Sequence, residues 1–349
     1  MAYYEYLDSL RNAERLHRAP TFSLVVDGRD ISKKVEARLV SLTLTESRGD
    51  EADQLDLVID DSDGRMGIPA KGAKLALMLG WEGSPMQDKG EFEVDEVEHT
   101  GAPDTISIRA RSAEMRRELR TRAERSYHGK TLGDIVGDIA TRNKLLPRID
   151  DTLASTRVEH IDQTHESDLH FLTRLAKKHD AVATVKKGRL IFKPIGSTKA
   201  ANGDDLERIT ITRADGDQHR YHSADRNAYS GVRAQWHDPN TAQKRSVLVG
   251  TEDNEKRLKD TYGSEADAMA AARAERGRIE RGKATMELTL AIGRPDLMPQ
   301  TPVDLRGYKE VIDDTPWLAV KLTNALGDSG LTTRMELETR AAEKNAAIQ

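Results

Sequence analysis

The residues most able to do chemistry are crowded into HIDQTHESDLHFLTRLAKKHD, where His160, His165 and His170 stand among Asp162, Glu166, Ser167 and Asp168. Imidazoles beside carboxylates suggest either a metal centre or an acid–base pair. The five-residue spacing opposes the first. On a helix it is an angular step of about 140°, whereas a metal pair at i, i+4 needs both rings on one face. His160 also precedes the predicted helix. Asp168 falls at the helix start and Lys177 and Lys178 at its end, where their charges suit the helix dipole. The segment therefore reads as a structural helix with polar residues on its wet side, and it supplies no catalytic, metal or cofactor residue.

Four other motifs fail on inspection. GRIERGKA, Gly277 to Ala284, nearly matches a phosphate-binding loop, but Ala284 stands where a hydroxyl should hold magnesium, and a predicted helix precedes it where a strand is required. HGKT at 128 to 131 has Glu124 in place of the first glycine, so Thr131 reads as a helix N-cap. GDSG, Gly327 to Gly330, matches a serine-protease nucleophile segment, but Leu331 follows it and the flanking strands make it a hairpin turn. DDSDG at 60 to 64 would put Ile59 at the first calcium ligand, so turn chemistry explains it better.

Composition narrows the chemistry further. The chain has 349 residues and no cysteine, which excludes disulfides, thiolate nucleophiles and cysteine-based metal sites. Apolar residues make up 37% and charged residues 32%, the balance of a globular chain with a heavily hydrated surface. Basic residues number 54 and acidic 59, a net charge of −5 without a basic block, which argues against a dedicated nucleic-acid binder. No apolar run is long enough for a membrane span or a secretory signal, so assembly in the cytoplasm is the expectation.

The elements around these motifs change period along the chain. Residues 1–19 read as an arm. From Phe22, Leu24 and Val26 into the Asp27-Gly28 turn, then through Leu42, Leu44, Leu55, Leu57 and Ile59, apolar residues alternate. The runs at 74 to 81, 91 to 99 and 104 to 112 continue the pattern, so residues 20–112 form an antiparallel β domain. Thr131 and Asp134 then make a capping-box pattern before Leu132, Ile135, Val136 and Ile139, in a helix expected to end at Pro147. A second helix begins near Ser167 with a stripe of Leu169, Leu172, Leu175 and Ala176, followed by a hairpin turning at Gly188. Residues 113–200 are thus a small α+β insertion. Residues 201–340 return to strands, interrupted by one helix that starts at the Ser264–Asp267 capping pattern, and residues 341–349 are a fraying tail.

The ordered series YHGKTLGDIVGDIATRNKL, THESDLHFLTRLAKKHDAVATVKKGRLIF, YSGVRAQWHD and TPWLAVKLTNALGDSGLTTRMELE resembles the phage late control protein D family, the tail baseplate hub of contractile-tailed phages and phage-like particles. It is also similar to the N-terminal hub portion of type VI secretion spike proteins, without a repetitive β-helix spike after residue 340. The resemblance implies an α+β, mainly β fold with two tube-like antiparallel β-barrel domains and a small α+β insertion, in a trimeric hub. It implies a structural, non-enzymatic protein that joins the hexameric tail tube to the trimeric spike and adapts sixfold to threefold symmetry. Implied partners are two further copies, the tail spike and tail tube proteins, tape-measure and other baseplate proteins, and DNA as a passenger in the channel, with no cofactor and no membrane anchor. The implied location is the virion baseplate, assembled in the bacterial cytoplasm. The alternative reading is a hub-associated peptidoglycan hydrolase, which needs a carboxylate pair or a His-metal cluster in a cleft. Lumen and interface residues are not readable from the sequence.

Overall fold

Alternation of apolar and polar residues gives each strand one inward face. A computed structural model describes residues 19–49, 51–113, 119, 121–197, 206–224, 229–239 and 241–340; the arm up to residue 18, residues 198–205 and the tail lie outside them. The first region contains β1 (Pro20–Val26), β2 (Arg29–Asp30), a short helix α1 (Ser32–Glu36), β3 (Leu39–Ser47), β4 (Gln54–Asp60), β5 (Lys74–Trp81), β6 (Gln87–Thr100) and β7 (Thr105–Ser112). These strands are antiparallel and lie in the order β3-β4-β7-β6-β5-β1-β2. Asp27 and Gly28 turn β1 into β2 at φ of 46° and 81°, which only the mirror-image hairpin turn requires. Leu42, Leu44, Leu55, Leu57 and Ile59 are all buried, as their spacing predicts.

The insertion contains β8 (Arg122–Thr131), α2 (Leu132–Arg142), β9 (Leu146–Ile149), α3 (Asp151–Ala154), β10 (Arg157–Ser167), α4 (Asp168–Lys178), β11 (Ala181–Lys186) and β12 (Arg189–Pro194). β8 pairs with β10, and β9 joins the β11–β12 hairpin by pairing parallel to β12. The capping box at α2 is complete: Asp134 N donates to Thr131 Oγ1 at 3.1 Å and Thr131 N donates to Asp134 Oδ2 at 2.9 Å. Two expectations need correction. α2 ends at Arg142 with Asn143 as its cap, and Pro147 lies beyond it in β9, where it pairs with Leu190. The buried stripe of α4 is Phe171, Leu172, Leu175 and Ala176, with Leu169 only partly buried, because the β8 ring of Tyr127 stacks on Phe171 at 5.8 Å.

The last region contains β13 (Ile209–Thr212), β14 (Gly216–Ser223), β15 (Gly231–Asp238), β16 (Gln243–Gly250), β17 (Glu255–Tyr262), α5 (Glu265–Arg281), β18 (Ala284–Leu290), β19 (Pro302–Arg306), α6 (Glu310–Asp313), β20 (Trp317–Gly327) and β21 (Gly330–Thr339). β15, β16 and β17 leave the main sheet and close over α5 with a small core of Val232, Ala234, Val247, Ala268, Ala272 and Ile279. The Ser264 hydroxyl caps α5 by accepting from Asp267 N at 3.1 Å, but the Asp267 carboxylate accepts from that hydroxyl at 2.9 Å and not from the Ser264 backbone, so half of the expected box forms. The remaining strands run β14-β18-β21-β20-β19-β13.

β20 pairs with β3, so the two β regions form one 13-stranded sheet. Their strand orders correspond: β14-β18-β21-β20-β19-β13 repeats β3-β4-β7-β6-β5-β1. Even the irregularities recur. β3 slips against β4 between Leu39 and Ser41, as β14 slips against β18 between Gly216 and Gln218. β6 slips against β7 between Val94 and Glu96, as β20 slips against β21 between Ala319 and Lys321. The halves differ in that β13 is parallel to β19 whereas β1 is antiparallel to β5, and in that the second carries β15, β16, β17 and α5 between β14 and β18.

Candidate functional site

The polar stretch that opens the sequence analysis lines an open cleft of about 680 Å³ with Arg122, Asp162, His165, Glu166, His170 and Arg174. β8 carries Arg122 and β10 carries Asp162, His165 and Glu166, a register slip between Gln163 and Glu166 turns the chain, and Ser167 starts α4 by accepting from His170 N at 3.2 Å. The three histidines diverge. His160 stacks on the cross-strand His128 ring at 4.4 Å, His165 meets Glu124 at 2.9 Å, and His170 meets Glu166 at 2.9 Å. Among the described residues, no group of three or more His, Asp or Glu side chains is arranged to hold a metal ion.

Glu166 is the cleft carboxylate with the most enclosed side chain, 11% exposed. Burial alone would raise its proton affinity, but hydrogen bonds from Arg174 and His170 outweigh burial and lower its pKa. A glycosidase acid needs the opposite shift, so that it is protonated at neutral pH. Asp168 does more than favour the helix dipole. It is 6% exposed and accepts from Arg142 at 3.2 Å, Asn143 at 2.8 Å and Gln163 at 2.9 Å, tying α2, β10 and α4 together. Glu166 in the cleft and Asp168 beside it are thus engaged in holding the insertion's shape.

The near-phosphate motif also has a structural purpose. Gly277 is on the face of α5 where a Cβ would lie 2.5 Å from Asp180 Oδ2. Its absence lets Asp180, at the end of α4, accept from Arg281 Nη1 at 2.7 Å. Arg281 is 4% exposed and its Nε lies 3.2 Å from Glu338 Oε1 of β21, which also pairs with Arg48. One guanidinium therefore links the insertion, α5 and the sheet. Lys283, the would-be phosphate lysine, pairs with Glu280.

Where the halves meet, Lys321–Leu326 of β20 pair with residues 42–47 of β3. Beneath this joint is a buried polar chain. Lys89 Nζ donates to Glu46 Oε2 at 2.7 Å, Asn324 Nδ2 reaches the same oxygen at 3.4 Å, and Thr333 Oγ1 donates to Asn324 Oδ1 at 2.6 Å. The opposite face of the sheet is polar and crossed by ion pairs, Arg109 with Asp56 and Glu96, Arg111 with Asp95, and Arg334 with Glu287. Such a sheet offers a hydrated wall with hydrogen-bonding edges.

A family model described as phage tail baseplate hub (GPD) matches residues 41–330. The chain belongs to this baseplate hub family. A probable baseplate hub protein of Escherichia phage 186 is 42% identical over 366 aligned positions, covering 93% of this chain and 94% of that protein. A tail protein of Neisseria meningitidis MC58 shares the fold with a TM-score of 0.69 at 13% identity, over 92% of this chain and 96% of its own. A type VI secretion component of E. coli, described as similar to T4 phage tail proteins, matches with a TM-score of 0.53 at 12% identity, over 87% of this chain and 74% of its own. The resemblance drawn from the sequence segments, the mainly β fold and the structural hub role all stand with these findings.

For a hub, the informative residues are those of the joint and the Arg281 clamp, and sequence reasoning missed both. Glu46, Asn324 and Thr333 sit at inward positions of apolar alternating strands, a signal visible in principle as a polar residue out of phase. Arg281 and Asp180 are separated by 101 positions and carry no local signal.

Proposed function

We propose that three copies of this hub present six equivalent sheet halves to a hexameric tail tube and a threefold face to the spike, around a channel for tape-measure protein or DNA. The observation that carries this reading is the repeated strand order with recurring slips, which makes one chain two similar building units. Such a role needs interfaces and not catalysis. The hub works in the tail baseplate after assembly in the host cytoplasm, without cofactor or membrane anchor. Native mass measurement and cryo-EM of the chain mixed with its spike and tube proteins should show a threefold complex. A chain that stays monomeric at high concentration and binds neither protein would refute the proposal. On a peptidoglycan zymogram no clearing is expected; clearing lost on Glu166→Gln would establish the hydrolase instead.

A further inference from the structure

The two sheet halves share a plan but not their neighbours, and the difference exposes an unfinished joint. β20 is divided along its length: Trp317 and Leu318 face β19, while Lys321–Leu326 pair with β3. Its counterpart β6 is divided the same way, with residues 87–93 on β5. Residues 95–100 of β6, however, pair only with β7 among the described residues. At the other end of the sheet, β14 is the counterpart of β3, yet it pairs only with β18 among the described residues. One joint of the plan is made within the chain, and among the described residues its two equivalent edges are left open.

The recurring slips set the correspondence residue by residue. Aligning the slip of β6 with that of β20 places Glu96 on Lys321, Val97 on Leu322, Glu98 on Thr323 and Thr100 on Ala325. Aligning the slip of β14 with that of β3 places Gln218 on Ser41, Arg220 on Thr43, His222 on Thr45 and Ser223 on Glu46. In the joint that is made, Leu322 lies opposite Glu46, Thr323 opposite Thr45 and Ala325 opposite Thr43.

We infer that residues 96–100 of β6 pair antiparallel with β14 of a second copy, Val97 opposite the second copy's Ser223, Glu98 opposite its His222 and Thr100 opposite its Arg220. This deepens the hub reading and rests on it. Charge agrees with the register. Glu93, Asp95, Glu96 and Glu98 on β6 are exposed, and His219, Arg220 and His222 on β14 are exposed. Glu98 and Arg220 become diagonal neighbours on one face, within reach of long side chains. Each copy then uses a different edge for each neighbour, a head-to-tail contact that closes when the rotation per copy closes, and three copies give six sheet halves in an unbroken ring. The main-chain groups of both edges, unpaired by any strand among the described residues, supply the hydrogen bonds.

The cysteine-free sequence makes the test clean. The full chain carrying Glu98→Cys and His222→Cys is oxidised alone and in the presence of spike and tube proteins, and run without reductant. A ladder ending at a covalent trimer is expected. The off-register pair Glu98→Cys with Gln218→Cys, displaced by about 13 Å along β14, should cross-link at least ten times less. Independently, Glu96→Arg with Glu98→Arg should abolish the trimer in native mass spectra, and adding Arg220→Glu with His222→Glu should restore it. A trimer with no in-register cross-link, or with equal cross-linking by both pairs, overturns this pairing and leaves the hub reading standing. A chain that remains monomeric and binds neither spike nor tube overturns both.

Discussion

Lys89→Met should destabilise the sheet far more than an ordinary lysine substitution. The Lys89 and Glu46 side chains are 4% and 8% exposed and 2.7 Å apart, directly under the β3–β20 joint. At an effective dielectric constant near 20, two charges about 3 Å apart attract by roughly 5–6 kcal/mol, most of it offset by the desolvation of both groups. Removing the ammonium leaves a buried carboxylate with the long bond from Asn324 and the weaker attraction of Lys186, and breaking such a pair costs about 3–5 kcal/mol. For a cooperative unit of roughly 150–250 residues, at about 2–4 °C per kcal/mol, the melting temperature should fall by roughly 6–20 °C. Differential scanning calorimetry of the full chain reads this directly. Glu46→Gln combined with Lys89→Met removes both charges and should recover at least half of the loss, since neutral groups of similar size bear no uncompensated charge. A single variant melting within ~1 °C of wild type, or a double variant melting no higher than the single, would refute the reasoning.

Gly277→Ala should destabilise the fold by about 1–3 kcal/mol despite the gain in helix propensity, because the new Cβ meets an Asp180 oxygen held by Arg281; thermal melts give the sign. His179 gives a pH prediction: burial, aided by Lys178 and opposed by Asp267, lowers its pKa from 6.5 to about 4. The fold holds the neutral ring, so this contribution is complete above pH 6.5 and declines as pH falls towards 4, and His179→Gln should flatten that decline in urea titrations. An unchanged slope would remove His179 as its source. Leu172→Asp places an unpaired charge at a position 1% exposed, so hydrogen exchange should show the insertion opening by more than about 4 kcal/mol while β3, β4 and β20 stay protected.

The sequence shows its regular parts where local chemistry decides them. The strands of the sheet carry period-two burial, the hairpin turns have Gly28, Gly188 and Gly330 at positive φ, and Thr131 and Ser167 cap their helices through hydroxyls. β8 and β10 give no strand signal because most of their residues are exposed and RAERSYHGKT lacks an apolar face of its own. From sequence the small unit of β15, β16, β17 and α5 belongs to a continuous β region, since nothing in its residues says that these strands leave the sheet. The joint was invisible for a different reason. Thr323 and Thr45 are ordinary outward strand residues, and only long-range pairing makes them neighbours. In the cleft, residue types were legible but their engagements were not: whether Asp168 faces water or Arg142 and Asn143 depends on two other elements.

The matched slips in β3, β6, β14 and β20 bear on shape as well as ancestry. An extra residue on one strand sharpens twist and bends the sheet at that rung. Because the bends return at the same rungs in each half, curvature advances by a repeated increment along the strand order, as it does along staves cut to one bevel.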